Sequence, residues 1–384
     1  MRQFFFNILI LLLCSNLNFH RFSLNFYVPN QKPDFKKAAQ FVENAIRDSA
    51  FPGASLLVWQ NGKTVYESGF GNFIYNENSP KVDTSTVFDL ASLTKVIATT
   101  TSIMLLIDRK ELSLNDKVSK FIPEFAVNGK GDITIRNLLL HNSGLPAFKR
   151  LYKNDTNAEE ALNDIYRSKL IYKTGSKTVY SDLGFVVLAK VVERISGKRF
   201  DKFCNEEIFQ PLKMKNTCFN PPDSLKLKIP PTERDNYWRH RLLEGEVHDE
   251  TASILNGISG NAGLFSNVLD IRNFLSMIMN KGVFEGKRFL SKKIINLFTS
   301  KNKYSKERAY GWDLKSKIRS SAGHLFSDDS FGHLGYTGCS IWIDPDRHLF
   351  AVFLSNRVYP TRKNLKILKM RPMLHDAIIE AVEN

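Results

Sequence analysis

Ser92 and Lys95 stand three positions apart in Phe88-Asp89-Leu90-Ala91-Ser92-Leu93-Thr94-Lys95, which runs into the apolar segment Val96-Ile97-Ala98. If a helix begins at or just before Ser92, residues i and i+3 share a face, and the hydroxyl and the ammonium become neighbours. A serine alcohol is a weak nucleophile at neutral pH, but a lysine desolvated in a cleft can lose its own proton and take the one on the serine. The same helix N-terminus offers orphan N–H groups where an oxyanion could form. A capped helix with a solvated lysine has this pattern too, so S-x-x-K needs partners elsewhere in the chain.

Two further clusters supply candidates. Val179-Tyr180-Ser181-Asp182-Leu183-Gly184 sets a tyrosine, a serine and an acid just ahead of an apolar run. Tyr180 could relay a proton between Ser92 and a leaving group, and Asp182 could hold Lys95 or a substrate amide; as plain turn chemistry, Asp182 would instead be a helix N-cap. Phe331-Gly332-His333-Leu334-Gly335-Tyr336-Thr337-Gly338 places three glycines along a strand edge, where backbone can approach a ligand closely. His333 could add a positive charge or a donor there.

Both chain ends carry strand patterns. Ala54 to Gln60 and Lys63 to Gly69 flank Asn61-Gly62, a strong two-residue hairpin signal. Tyr310 to Leu314, Gly338 to Ile343 and Leu349 to Ser355 supply further strands, the last two joined by the turn Asp344-Pro345-Asp346-Arg347. Helical periodicity opens at Asp34, runs from Ser92 to about Asp108, and fills the middle: Ile133 to His141, Asn157 to Ser168, Asp182 to Ile195, Phe200 to Phe209, Asn267 to Met279 and Ser291 to Phe298. Residues 221–250 read as surface loop, and Thr361 to Val382 as a closing helix. His141, before Asn142-Ser143-Gly144-Leu145-Pro146, reads as a helix-end residue. The fold class is therefore α/β of the α+β type, an antiparallel sheet built from both chain ends and flanked by helices. A mostly helical second lobe, inserted at about 110–300, belongs to a single catalytic domain spanning 34–384.

The 384 residues are 43% hydrophobic, enough for a large core. Met1-Arg2 and the apolar run Phe4 to Leu13 form an export signal of about twenty residues, which places the mature protein in the periplasm or cell envelope. Cys14 resembles a lipid-attachment site, although bulky Leu13 stands where such sites prefer a small residue. Cys204 and Cys218 could pair in an oxidising compartment or remain two buried thiols. No later stretch reads as a membrane span. The net charge of +15 fits peripheral attachment to anionic envelope polymers. The basic residues are scattered without an aromatic-interleaved patch, which excludes nucleic acid as a partner.

S-L-T-K, Y-S-D and H-L-G, in this order, resemble the motifs of the serine hydrolase superfamily of penicillin-binding proteins and β-lactamases. Within it the chain is most similar to the class C β-lactamase-like group, which includes D-alanyl-D-alanine carboxypeptidases and esterases. Leu139-Leu140-His141-Asn142-Ser143-Gly144-Leu145-Pro146 and Trp342-Ile343-Asp344-Pro345 share the resemblance. It implies Ser92 as the acylated nucleophile, Lys95 as its activator, Tyr180 as the proton-transfer tyrosine, and the backbone N–H groups of Ser92 and Tyr336 as oxyanion donors. Asp182 stands where the group more often has asparagine. His333-Leu334-Gly335 replaces K-T-G or H-T-G, which removes a hydroxyl that could bind a substrate carboxylate and weighs against efficient β-lactam hydrolysis. Gly245 to Glu250 and Gly257 to Ser266 are similar to stretches of enzymes of peptidoglycan turnover, with His248 in a supporting or substrate-facing loop. His248, Asp249 and Glu250 resemble metal ligands on paper but lack a fourth group, so neither a metal nor another cofactor is expected. The function implied is an exported hydrolase that forms an acyl-enzyme on Ser92 and acts on amide bonds of cell-wall peptides. A carboxylesterase and a non-catalytic peptidoglycan-binding protein are the alternatives.

Overall fold

The computed structural model describes residues 33–383; the apolar run near the N-terminus and Cys14 lie outside them. An antiparallel six-stranded sheet joins the two ends of the described chain. From the N-terminal part come β1 (Gly53–Gln60) and β2 (Lys63–Gly71); from the C-terminal part come β8 (Asp313–Leu314), β9 (Phe331–Leu334), β10 (Ser340–Asp344) and β11 (Leu349–Ser355), in the order β8-β9-β10-β11-β1-β2. Asn61 and Gly62 both adopt positive φ, 49° and 91°, so Gln60 faces Lys63 across a two-residue turn. That is the conformation in which asparagine and glycine cost least.

Seven of the eight residues of β1 and all seven of β11 are buried, because helices cover both faces of the sheet. Leu56, Val58, Ala351 and Phe353 point toward α1 (Lys36–Arg47) and the closing helix α5 (Ile367–Glu383). Leu57, Trp59, Phe350, Val352 and Leu354 point the opposite way, into the core of the helical lobe. The alternation follows from the two-residue period of a strand, and here both sets find apolar partners.

The helix that carries Ser92, α2 (Ala91–Asp108), starts as a 3-10 turn at Ala91–Leu93, widens to a π-helical stretch at Lys95–Thr100, and becomes α-helical from Thr101. It is long and apolar enough to cross a membrane by composition, unlike the expectation that no such stretch follows the N-terminus, but it packs in the core and is 83% buried. A small sheet missed in the sequence braces its start: β3 (Phe88–Asp89) and β4 (Cys218–Phe219) both pair with β7 (Leu264–Ser266). Two-residue strands carry no readable period, which is why they escape a pattern search.

Other boundaries also differ. The 221–250 stretch contains a hairpin, β5 (Glu233–Asp235) with β6 (Arg241–Leu243), and α5 begins at Ile367 rather than near Thr361. Cys204, Cys218 and Cys339 carry free thiols.

The segment after Ser259 lies hard against α4 (Asp182–Ser196): a Cβ on Gly260 would sit 2.1 Å from the Phe185 carbonyl oxygen and 2.8 Å from the Ala189 Cβ. Gly260→Ala should therefore push this segment off the helix. The expected loss of stability is about 2 kcal/mol, typical of overpacking, read as a lower midpoint in urea denaturation. An unchanged midpoint would contradict the close-approach explanation.

Candidate active site

Asp89 sets up the turn ahead of Ser92. One carboxylate oxygen accepts the Ala91 N–H at 2.8 Å and the other accepts the His248 N–H at 2.7 Å. Ala91 is held at φ 45°, a left-handed conformation unfavourable for a residue with a Cβ. Such strain persists only where surrounding bonds over-determine it, and it clusters at functional sites. Threonines then tie α2 down: Thr94 Oγ1 accepts the Leu264 N–H at 3.1 Å, and Thr99 Oγ1 donates to the Gly260 carbonyl at 2.7 Å.

The helical spacing brings Lys95 to Ser92 as expected. The Lys95 ammonium is fully buried and donates to Ser92 Oγ at 2.9 Å, Asp182 Oδ1 at 2.6 Å and the Asn261 carbonyl at 2.9 Å. Asp182 is not a cap. Ser181 holds the N-cap position of α4, and Asp182, the first helical residue, turns its carboxylate to the lysine. Burial works to lower the Lys95 pKa, but the carboxylate of Asp182, aided by Tyr180, outweighs it and holds the ammonium above its ordinary value. Burial pushes Asp182 upward, Lys95 opposes this, and Asp249 and Glu250 add to it. In the resting site Lys95 is thus an ammonium with all three protons engaged, not a free base.

The Tyr180 hydroxyl lies near Lys95 and Ser92. Burial raises its pKa, with Lys95 pulling the other way. The Lys95 Nζ lies 4.9 Å from its ring centroid and the Arg308 guanidinium carbon 5.3 Å. Arg308 comes from a loop with no local sequence signal, so sequence reasoning missed it, as it missed the Asn261 carbonyl.

Of the charge or donor that His333 could add, the charge is disfavoured by its surroundings. The residue is buried with its ring centroid 6.0 Å from that of Tyr180, its Nδ1 is 2.8 Å from the Leu334 carbonyl, and burial lowers its pKa to about 4, leaving it neutral. Gly335 has a spatial role: a Cβ there would lie 2.4 Å from the Leu90 carbonyl oxygen. Its absence lets the 335–339 turn dock on the Ser92 turn, where Thr337 Oγ1 donates to the Asp89 carbonyl at 2.7 Å. Tyr336 thereby reaches the cleft beside Ser92, and Arg357 fixes its carbonyl with bonds of 2.9 and 2.6 Å.

His248 lines the same cleft as Ser92, its ring stacked on Tyr336 at 5.7 Å. Its Nε2 is 2.8 Å from Glu233, which also takes several hydrogen bonds from Arg362. Arg362 in turn donates to Glu250 at 2.8 Å. Burial alone would raise Glu233, but His248 and Arg362 overcome it and bring its pKa down to about 2. Asp249 accepts from Asn261 Nδ2 and the Ala252 N–H. These three side chains are committed to protein partners, and among the described residues no group of three or more His, Cys, Asp or Glu is arranged to hold a metal.

Ser92, Tyr180, Asp182, Glu250, Tyr336 and Arg362 line one cleft of ≈ 470 Å³, with Phe148, Tyr152 and Tyr237 forming an aromatic flank. Phe148 is 59% exposed and Tyr237 45%. A larger groove of ≈ 1240 Å³ between Phe41–Ala50 and Thr361–Met373 contains neither Ser92 nor its partners.

The β-lactamase family model matches residues 38–369. N-acetylmuramyl-L-alanine amidase of Bacillus subtilis (strain 168) is 32% identical over 356 residues, covering 84% of this chain and 80% of that protein. An Escherichia coli (strain K12) protein with the provisional name D-alanyl-D-alanine carboxypeptidase is 31% identical over 346 residues, covering 81% and 79%. Among solved structures, a class C β-lactamase from Rhodobacter sphaeroides superposes with TM-score 0.71 at 17% identity, covering 90% of this chain and 99% of the other.

The Glu233 network makes an acid-stability prediction. A carboxyl whose folded pKa is lowered contributes stability that is present above its unfolded value of 4.5 and lost as pH falls through about 2. Glu233→Gln should cost about 3 kcal/mol at pH 7, the usual size for breaking a buried pair. In a pH series of urea melts, the gap from the unmodified protein should hold above pH ~5 and narrow below it. A gap independent of pH would contradict the assigned charge state.

Proposed function

Because the chain belongs to the β-lactamase family of serine hydrolases, we propose that Ser92 is acylated by an amide of a cell-wall peptide and that the acyl-enzyme is released by water. The observation that carries this reading is the 2.9 Å contact between Ser92 Oγ and a fully buried Lys95 that also binds Asp182. As Ser92 attacks the carbonyl, Lys95 passes a proton to Asp182 and takes the one from Ser92, so the site keeps its net charge. The oxyanion is received by the backbone N–H groups of Ser92 and Tyr336. Tyr180 conducts a proton from Asp182 and Lys95 to the departing amine, and water then attacks the ester by the same path in reverse. His333, His248 and Gly335 support the geometry without touching the reacting bond.

Of the cell-wall amides, the bond between a muramyl lactyl group and L-alanine fits best. Leu334 offers no hydroxyl to a terminal carboxylate, the aromatic flank suits a bulky acyl portion such as a sugar ring, and the 32% identical relative is named for this activity. We also place the protein in the cell envelope, where such a substrate is found, reached by export through the apolar N-terminal run.

Two outcomes test the reading. A fluorophosphonate should label the protein and leave Ser92→Ala unlabelled; equal labelling would remove Ser92 as nucleophile. Mass spectrometry of muropeptides after incubation should show separation of peptide from lactyl sugar, whereas loss of a terminal D-alanine would identify a carboxypeptidase.

Asp182→Asn tests the proton path. With Asp182 present, the active state is the ammonium–carboxylate pair, which persists from the Asp182 pKa up to the Lys95 pKa. Without it, Lys95 must lose its proton to solvent before it can act. The rate should then climb with pH about tenfold per unit below the lysine pKa, where the unmodified enzyme has a plateau. Superimposable pH–rate profiles would contradict the path.

A further inference from the structure

His141 belongs to the Leu139-Leu140-His141-Asn142-Ser143-Gly144-Leu145-Pro146 stretch and follows α3 (Ile135–Leu139). It is 1% exposed and is not among the residues that line the cleft. Its contacts nevertheless converge on one residue. Its carbonyl accepts the Val179 N–H at 2.9 Å, and its ring Nδ1 accepts the Ser181 N–H at 2.9 Å. Both chain neighbours of Tyr180 are therefore bonded to this one histidine. Between those two bonds the imidazole stacks on the Tyr180 ring, centroids 4.5 Å apart and planes 29° apart, while Phe185 backs it at 5.0 Å.

The acceptor role of Nδ1 sets the tautomer: in the neutral ring the proton sits on Nε2. Burial, together with the charges of Arg308 and Lys95, keeps the ring neutral by holding its pKa well below the ordinary value. His141 itself is held at φ 54°, and Tyr172 donates to its carbonyl at 3.2 Å. A simple helix-end residue would need none of these bonds to the 179–181 segment.

We propose that His141 is a positioning residue for Tyr180, clamping the backbone on both sides of the tyrosine and seating its ring so that the hydroxyl meets Ser92 and Lys95. This rests on the reading of Tyr180 as the proton-transfer group. An error of about 1 Å in the hydroxyl can cost roughly a hundredfold in rate, so a clamp outside the cleft acts on the rate through Tyr180 without touching substrate.

The test is a double-mutant cycle on the rate of muropeptide amide cleavage, with thermal melts for every variant. The departing amine takes the proton that Tyr180 conducts, so this rate reads the position of its hydroxyl, and residual cleavage by Tyr180→Phe is followed over long incubations. His141→Asn is the first variant, since asparagine tolerates positive φ and keeps an acceptor; His141→Phe, which keeps a flat ring but loses the acceptor, replaces it if the first fails to fold. The expected result is a loss of about 10- to 100-fold in the native background and less than about 2-fold in the Tyr180→Phe background. The same loss in both backgrounds, or cleavage at the native rate by a folded variant, would overturn the positioning role. If Tyr180→Phe alone cleaves at the native rate, the catalytic reading of Tyr180 fails and the role of His141 falls with it. If Ser92→Ala is labelled by a fluorophosphonate like the native protein, the nucleophile assignment fails instead, so the failures are distinguishable.

Discussion

Removing an ammonium ion from water costs several kcal/mol unless its charge and all its protons find partners. Lys95 meets that condition with three acceptors from three separated parts of the chain: Ser92 on its own helix, Asp182 at the start of α4, and the Asn261 carbonyl in the segment before β7. Satisfying this one buried cation fixes where α2, α4 and the 259–263 turn must meet. Gly260, which can lie against the Phe185 carbonyl, and Thr99, which grips the Gly260 carbonyl, are consequences of that junction.

A second constraint works from the sheet. Gly335 lets the turn after β9 approach the Leu90 carbonyl, and Thr337 and Asp89 lock the two turns together. The strained Ala91 sits between these bonds. Ser92 is therefore held by a helix on one side and a sheet edge on the other, with the Glu233–His248–Arg362 network packed beside Tyr336. The family relationship shows a serine hydrolase and this geometry fits one; the proposed proton path runs through the ionisable Asp182 next to Lys95.

The parts legible in the sequence were those set by local spacing. The i, i+3 relation of Ser92 and Lys95, the Asn61-Gly62 turn and the alternation of β1 and β11 each depend on a few neighbouring residues. What was not legible depends on tertiary environment. Nothing beside His333 announces that burial will make it neutral, and nothing near Arg308 announces that it will lie over Tyr180. Asp182 read either as a partner for Lys95 or a substrate amide, or as a cap, because its local context is that of a cap; only the fold, which brings in a buried lysine 87 positions earlier in the chain, decides between them. His141 illustrates both, since its place at a helix end was readable and its grip on the 179–181 segment was not.

The central claim is that Lys95 rests as an ammonium because Asp182 holds it there. Carbon-13 NMR of lysines labelled at Cε, with the Lys95 signal identified by its loss in Lys95→Arg, measures this directly. The account predicts that the Lys95 resonance shows no deprotonation up to at least its ordinary value of 10.5. A titration centred near or below neutral pH would contradict it and make Lys95 a free base in the resting site.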